Sequence, residues 1–175
     1  IIAVVAKDNL HATASQAGLA VGIYIIGTVV ARLLAGRFIS VLGCRKMLYL
    51  GLLIYLISTA MYFYTPSLLI LDSVRFLNGF AYGITSTATG TIVAAIIPMS
   101  RRGEGINYYG LSTSLAAAVG PFLGILMLHN LGYDFIIAFC VGLIILCGIG
   151  SVIMKFNEPK LDIDSEAHKG IRISD

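Results

Sequence analysis

The sequence predicts an all-α polytopic membrane protein, and three observations carry that prediction. The first is composition. Of 175 residues, 58% are hydrophobic and 12% are charged, against about 25% charged in an ordinary soluble domain. Mean hydropathy is +0.91. A soluble domain of this size would need far more charge on its surface. The second observation is the length of the apolar runs, five of which meet the roughly 20 residues that cross a bilayer as a helix. The third is their pattern. Backbone in lipid has only helix or closed barrel available, and a barrel strand alternates over about ten residues. Leu50-Gly51-Leu52-Leu53-Ile54-Tyr55-Leu56-Ile57 does not alternate. A soluble globular enzyme, a disordered chain and a disulfide-rich secreted module are excluded.

The chain opens without Met on the apolar run Ile1-Ile2-Ala3-Val4-Val5-Ala6, which reads as the outer end of a preceding helix. Five complete spans follow. They are expected at Ala14 to Ala35, Met47 to Tyr64, Leu68 to Ile97, Ile106 to Leu128 and Phe135 to Phe156. The third is long enough to tilt or to emerge from the bilayer. Short connections such as Thr65-Pro66-Ser67 and His129-Asn130-Leu131-Gly132-Tyr133-Asp134 predict consecutive antiparallel hairpins.

Charge sets the domain boundary. Residues 12 to 154 carry seven basic and three acidic residues, whereas 155 to 175 carry four basic and five acidic ones. A transmembrane bundle over 1 to 156 and a charged tail over 157 to 175 are expected. Arg37, Arg45, Lys46, Arg101, Arg102 and Lys155 fall on one side, with Lys7 on the other. By the positive-inside rule the first group is cytoplasmic, as is the tail after Phe156.

The sequence offers no enzyme chemistry. Cys44, Cys140 and Cys147 lie in or beside apolar runs without metal-ligand spacing and read as small apolar residues. No phosphate loop, His or Cys metal pair or nucleophile triad is present. No cofactor, metal or nucleic-acid partner is expected.

Other residues exceed what anchoring needs. Arg75 lies about 10 Å into its span at helical rise, where an arginine costs several kcal/mol unless it finds water or partners. Asp72, Arg75, Gly79, Tyr82, Ser86 and Thr89 share one helix face, by spacings of three and four. That face can wall a solvated pathway. The lesser alternative is a structural Asp72–Arg75 pair near the outer interface, with Arg75 snorkelling. Ser112, Ala116, Gly120 and Gly124 recur every four residues, as do Gly27, Ala31 and Ala35. Such ladders let helix backbones approach closely. Pro121 removes one internal hydrogen bond and should bend its helix. The result can be a static packing device or a sliding surface.

These residues resemble the major facilitator superfamily. Gly36, Gly43, Arg45 and Lys46 match the loop between its second and third helices. Ser40 stands where that motif has Asp, and Val41 and Cys44 stand where it has basic residues. Arg75-Phe76-Leu77-Asn78-Gly79 is similar to the fourth-helix pattern, with Asn78 in place of Gln. Gly120-Pro121-Phe122-Leu123-Gly124 is similar to the fifth-helix signature of drug and other antiporters, although Ile125 replaces its second closing Gly. Arg101-Arg102-Gly103-Glu104-Gly105 resembles the preceding loop of bacterial drug-efflux members.

The resemblance implies the N-terminal six-helix half of a twelve-helix transporter, built as two inverted three-helix repeats. It further implies a secondary active transporter that exports small amphipathic molecules by proton antiport. Membrane lipid, a small-molecule substrate, protons and a C-terminal six-helix half would be its partners. The roles it implies place Arg75, Asp72, Asn78 and Tyr82 on the transport or coupling pathway. Gly36, Gly43, Arg45 and Lys46 would serve a cytoplasmic gate, and Gly120, Pro121 and Gly124 the packing of the fifth helix. The competing reading is a non-transporting six-helix membrane protein acting as an assembly partner.

Overall fold

The computed structural model describes residues 2, 4 and 10–153. Among them are five helices long and apolar enough to cross a membrane, and no strand. They are α1 (Ala14–Leu42), α2 (Cys44–Ala60), α3 (Leu68–Ile96), α4 (Arg102–Leu131) and α5 (Tyr133–Ile153). Single 3-10 turns, Met61–Phe63 and Met99–Arg101, extend α2 and precede α4. Most of the initial apolar stub, Lys7, the end of the last span with Lys155 and Phe156, and the tail from Asn157 lie outside the described residues.

Local chemistry fixes the ends. Thr13 caps α1 through a capping box: its Oγ1 accepts from Gln16 N at 3.3 Å and its N donates to Gln16 Oε1 at 2.9 Å. Ser67 Oγ accepts from Ile70 N at 3.4 Å and caps α3. Each arrangement satisfies donors that the first helical turn leaves orphaned. Arg102 Nη2 donates to Ala94 O at 3.2 Å, so a cation meets the carbonyl end of α3 where the helix dipole favours it.

The expected loop from Gly36 to Lys46 is corrected. The α1 helix continues to Leu42, and Gly43 alone connects it to α2. Gly43 has φ 87° and ψ 152°, a conformation essentially confined to glycine. The helix persists past Gly36 because Ile39 is buried in a cluster with Ala35, Cys44, Met47 and Leu48. That burial outweighs the roughly 1 kcal/mol that a helical glycine costs. At 29 residues α1 is about 43 Å long, more than the roughly 30 Å of hydrocarbon. The expected connection His129 to Asp134 also shrinks, to Gly132 with φ 85°.

The closest packing joins α1 to α3, followed by α2 to α3. Small residues make the first seam. Ala31 and Ala35 are fully or almost fully buried, as is Ala81 opposite. A Cβ on Gly79 would collide with Tyr24 O, and one on Gly27 with Phe76 O. A Cβ on Gly83 would lie 2.7 Å from Thr28 O. The ladder Gly27, Ala31, Ala35 is therefore in close contact. The ladder on α4 is not. Among the described residues nothing lies within 4 Å of a Cβ placed on Gly120, and of that ladder only Gly124 is buried. Helix α4 runs unbroken through Pro121.

Candidate functional site

The α1–α3 seam positions the intramembrane arginine. Gly79 lets α3 approach Tyr24 on α1, and Arg75 is one turn before Gly79. Its guanidinium consequently reaches across the seam. Arg75 Nε donates to Ala20 O at 3.0 Å, and Cζ stands 4.6 Å from the Tyr24 ring centroid. A cation over an aromatic face is attracted by the ring quadrupole. The charge-assisted bond to a backbone carbonyl adds a second tether. Ala20 O is already the acceptor of an α-helical position, so Arg75 shares it with the ladder of α1.

The tyrosines continue from there. Tyr24 and Tyr82 rings are tilted with centroids 6.0 Å apart, and Tyr82 and Tyr55 follow at 6.4 Å. Tyr82 remains 40% exposed. The result is a row that starts at Arg75 and runs through Tyr24 and Tyr82 to Tyr55, drawing on α3, α1 and α2.

The structure separates the other residues expected beside Arg75. Asp72 Oδ1 is buried without a hydrogen-bond partner. Arg75 turns to Ala20 and Tyr24, so the expected structural Asp72–Arg75 pair is not formed. Asn78 turns away from Arg75 and toward α2. It is 6% exposed, and Nδ2 donates to Ser58 Oγ at 3.1 Å and Thr59 Oγ1 at 3.0 Å on α2. Three residues beyond Arg75 on the helix turn the side chain from α1 toward α2. Ser86 and Thr89, on the expected polar face, satisfy their hydroxyls within α3 by donating to Gly83 O at 3.2 Å and Thr85 O at 2.8 Å. Their polarity therefore needs no water.

At the other end of the helices, Gly36 is exposed and helical, and Gly43 is the turn. Arg45 Nε approaches Tyr49 Oη at 3.4 Å, and Tyr49 Oη donates to Ser151 O at 3.3 Å, linking α2 to α5. Lys46 is exposed.

Thr28, Tyr24, Tyr55, Ser58 and Thr59 are the participants that motif reading misses. Thr28 Oγ1 lies 3.0 Å from Gly79 O and 2.9 Å from Tyr24 O, sharing its hydrogen across the seam. One signal for Tyr24 and Thr28 exists in the sequence: they flank Gly27, the first rung of the α1 ladder.

The sequence profile described as Major Facilitator Superfamily matches residues 1–172. The chain belongs to the major facilitator superfamily. Its all-α architecture fits an N-terminal half of that fold. An uncharacterized MFS-type transporter of Methanocaldococcus jannaschii is 28% identical over 169 residues, covering 93% of this chain and 44% of that protein. Multidrug resistance protein 2 of Bacillus subtilis is 27% identical over 115 residues, covering 66% of this chain and 29% of that protein. Multidrug resistance protein 1 of Bacillus subtilis is 23% identical, covering 93% of this chain and 41% of that protein. The chain thus spans less than half the length of these curated relatives.

Proposed function

We propose that this superfamily member is the N-terminal six-helix half of a secondary active transporter of the cell membrane. It exports small amphipathic molecules by proton antiport and alternating access, in company with a C-terminal half. The observation that carries this reading is Arg75, a cation seven residues past the start of a membrane span, with no carboxylate bound to it among the described residues. Retaining such a charge costs stability, and a role in binding or coupling accounts for it. The two Bacillus relatives are named multidrug resistance proteins, which lends support to a drug-handling reading.

In this reading Arg75 meets the substrate or the coupling carboxylate, Asp72 tunes the field at Arg75 from one turn away, and Tyr82 borders the pathway. Asn78 anchors the pathway helix to α2. Gly36, Gly43, Arg45 and Lys46 belong to a gate on the cytoplasmic side, where Gly43 lets α1 and α2 join in a single residue. Gly120 and Pro121 present an open stretch of α4 to the C-terminal half, and Gly124, buried one turn on, completes the packing motif. The loops bearing Arg45, Lys46, Arg101 and Arg102 face the cytoplasm.

The test uses the protein encoded by the complete reading frame in inside-out proteoliposomes. A fluorescent amphipathic dye should accumulate when the lumen is made acidic and stop when the pH gradient is collapsed. Accumulation that equals that of protein-free vesicles, with or without the gradient, would refute proton-coupled export.

A further inference from the structure

We propose that the transported molecule is an aromatic acid, its anionic group held by Arg75 and its ring laid against Tyr82. This inference rests on the transporter reading and narrows it to a substrate class.

Charge comes first. The described residues hold three carboxylates, Asp72, Glu104 and Asp134. None of them pairs with Arg75, and Glu104 and Asp134 stand in the first turns of α4 and α5. Arg75 is the sole formal charge in the row that Tyr24, Tyr82 and Tyr55 complete. A cation in a low-dielectric span with no carboxylate bound to it among the described residues calls for an anion. A transported anion supplies one in the loaded state.

Donors come second. Arg75 Nε is committed to Ala20 O, and a guanidinium has further N–H groups to donate. Tyr62 is 7% exposed, and its buried hydroxyl hydrogen has no acceptor among the described residues. Its oxygen is within hydrogen-bonding reach of the Arg75 guanidinium. A guanidinium edge and a phenol O–H form a donor pair suited to an oxyanion. The absence of any acceptor already serving Tyr62 is a cost that an incoming carboxylate would remove.

Shape comes third. The Tyr24 face is occupied by Arg75, but Tyr82 is 40% exposed. Its neighbours Tyr24 and Tyr55 are inclined to it by 32° and 46°. Tilted rings leave a face of Tyr82 open to an offset-stacked planar guest. A ring on Tyr82, two helical turns from Arg75, places an acid group toward the cation end of the row.

The experiment compares 2-naphthoate, 2-naphthamide and 2-naphthylmethylammonium, which share one ring system and differ in charge. Uptake of each is measured with the complete protein in proteoliposomes. Naphthoate should be preferred over the amide by about tenfold, as one charge-assisted hydrogen bond allows. Arg75→Gln should remove that preference. Arg75→Lys, which keeps the charge and secures the test against misfolding of the first variant, should retain part of it. Tyr82→Leu should weaken acid and amide alike. Equal or faster movement of the ammonium or the amide overturns the acid while leaving the transporter reading intact. So does a naphthoate preference that survives Arg75→Gln. Movement of none of the three also overturns the acid, and dye accumulation then decides the transporter reading separately.

Discussion

Arg75 and Tyr24 face each other across the tightest helix seam among the described residues, with the guanidinium carbon 4.6 Å from the ring centroid. The pair exists because of what surrounds it. Gly79 has no side chain to hold α3 away from Tyr24 O, and Ala20 O gives Arg75 Nε a fixed acceptor. The arginine is thus oriented by the backbone of one helix and the ring beside it, not by a carboxylate on its own helix.

Close approach at this seam should make Gly79 intolerant of even one methyl. Gly79→Ala puts a carbon onto Tyr24 O and should cost about 1–3 kcal/mol. Gly110→Ala, on α4, meets open space among the described residues and should gain up to about 1 kcal/mol of helix propensity. Thermal inactivation of the two purified variants, followed by size-exclusion chromatography, checks the contrast. Equal stability would show that the seam is looser than described.

A second contrast concerns α4 in the complete protein. Gly120→Leu should reduce the initial transport rate more than Pro121→Ala. The added side chain fills the open small-residue face, whereas the proline change adds no bulk and restores a possible backbone hydrogen bond. Rates are normalised to folded protein in the membrane. Normal transport by Gly120→Leu beside an inactive Pro121→Ala would mean that the proline bend matters and the face does not.

Asn78 should behave as a structural tie. Asn78→Leu strands the Ser58 and Thr59 hydroxyls as acceptors on α2 and loses two buried bonds, a cost of about 1–3 kcal/mol. Asn78→Gln lengthens the arm and should be damaging too. Both should lower thermal stability in proportion to the loss of transport. Full stability with abolished transport would return Asn78 to the pathway.

Orientation is open to direct chemistry. On a cysteine-free background, single cysteines replacing Gly103 and Lys160 should react only with a permeant reagent in whole cells, the result expected of cytoplasmic positions. Those replacing Pro66 and Leu131 should react with an impermeant one. The unequal loop distribution of Lys and Arg dictates this arrangement. Labelling of position 66 from inside would reverse it.

The helices were legible because apolar length and lack of alternation leave one solution in lipid. Their ends were less so. Gly36 reads as a breaker, yet the burial of Ile39 beyond it keeps α1 helical to Leu42. The position of Arg75 was legible from its depth in the span, but its partners were not. Ala20 is 55 residues away in sequence, and only the meeting of Gly27 and Gly79 with the opposite backbones brings α1 there. Helical period put Asp72 beside Arg75, since spacing alone does not reveal which neighbouring helix a side chain will turn to. For the same reason Asn78 read as part of the arginine motif, while the hydroxyls of Ser58 and Thr59 that claim it belong to another helix.

The central claim is that the arginine at the α1–α3 seam serves transport. Initial transport rates of Arg75→Ala and Arg75→Lys, each normalised to the amount of correctly inserted, monodisperse protein, test it most directly. The alanine variant should insert normally and lose transport by about tenfold or more, the scale of one lost charge-assisted contact. The lysine variant should recover only part, because an ammonium lacks the planar fork that binds Ala20 O and stacks on Tyr24. Unchanged transport by Arg75→Ala at equal insertion would contradict the claim and leave Arg75 as a packing residue.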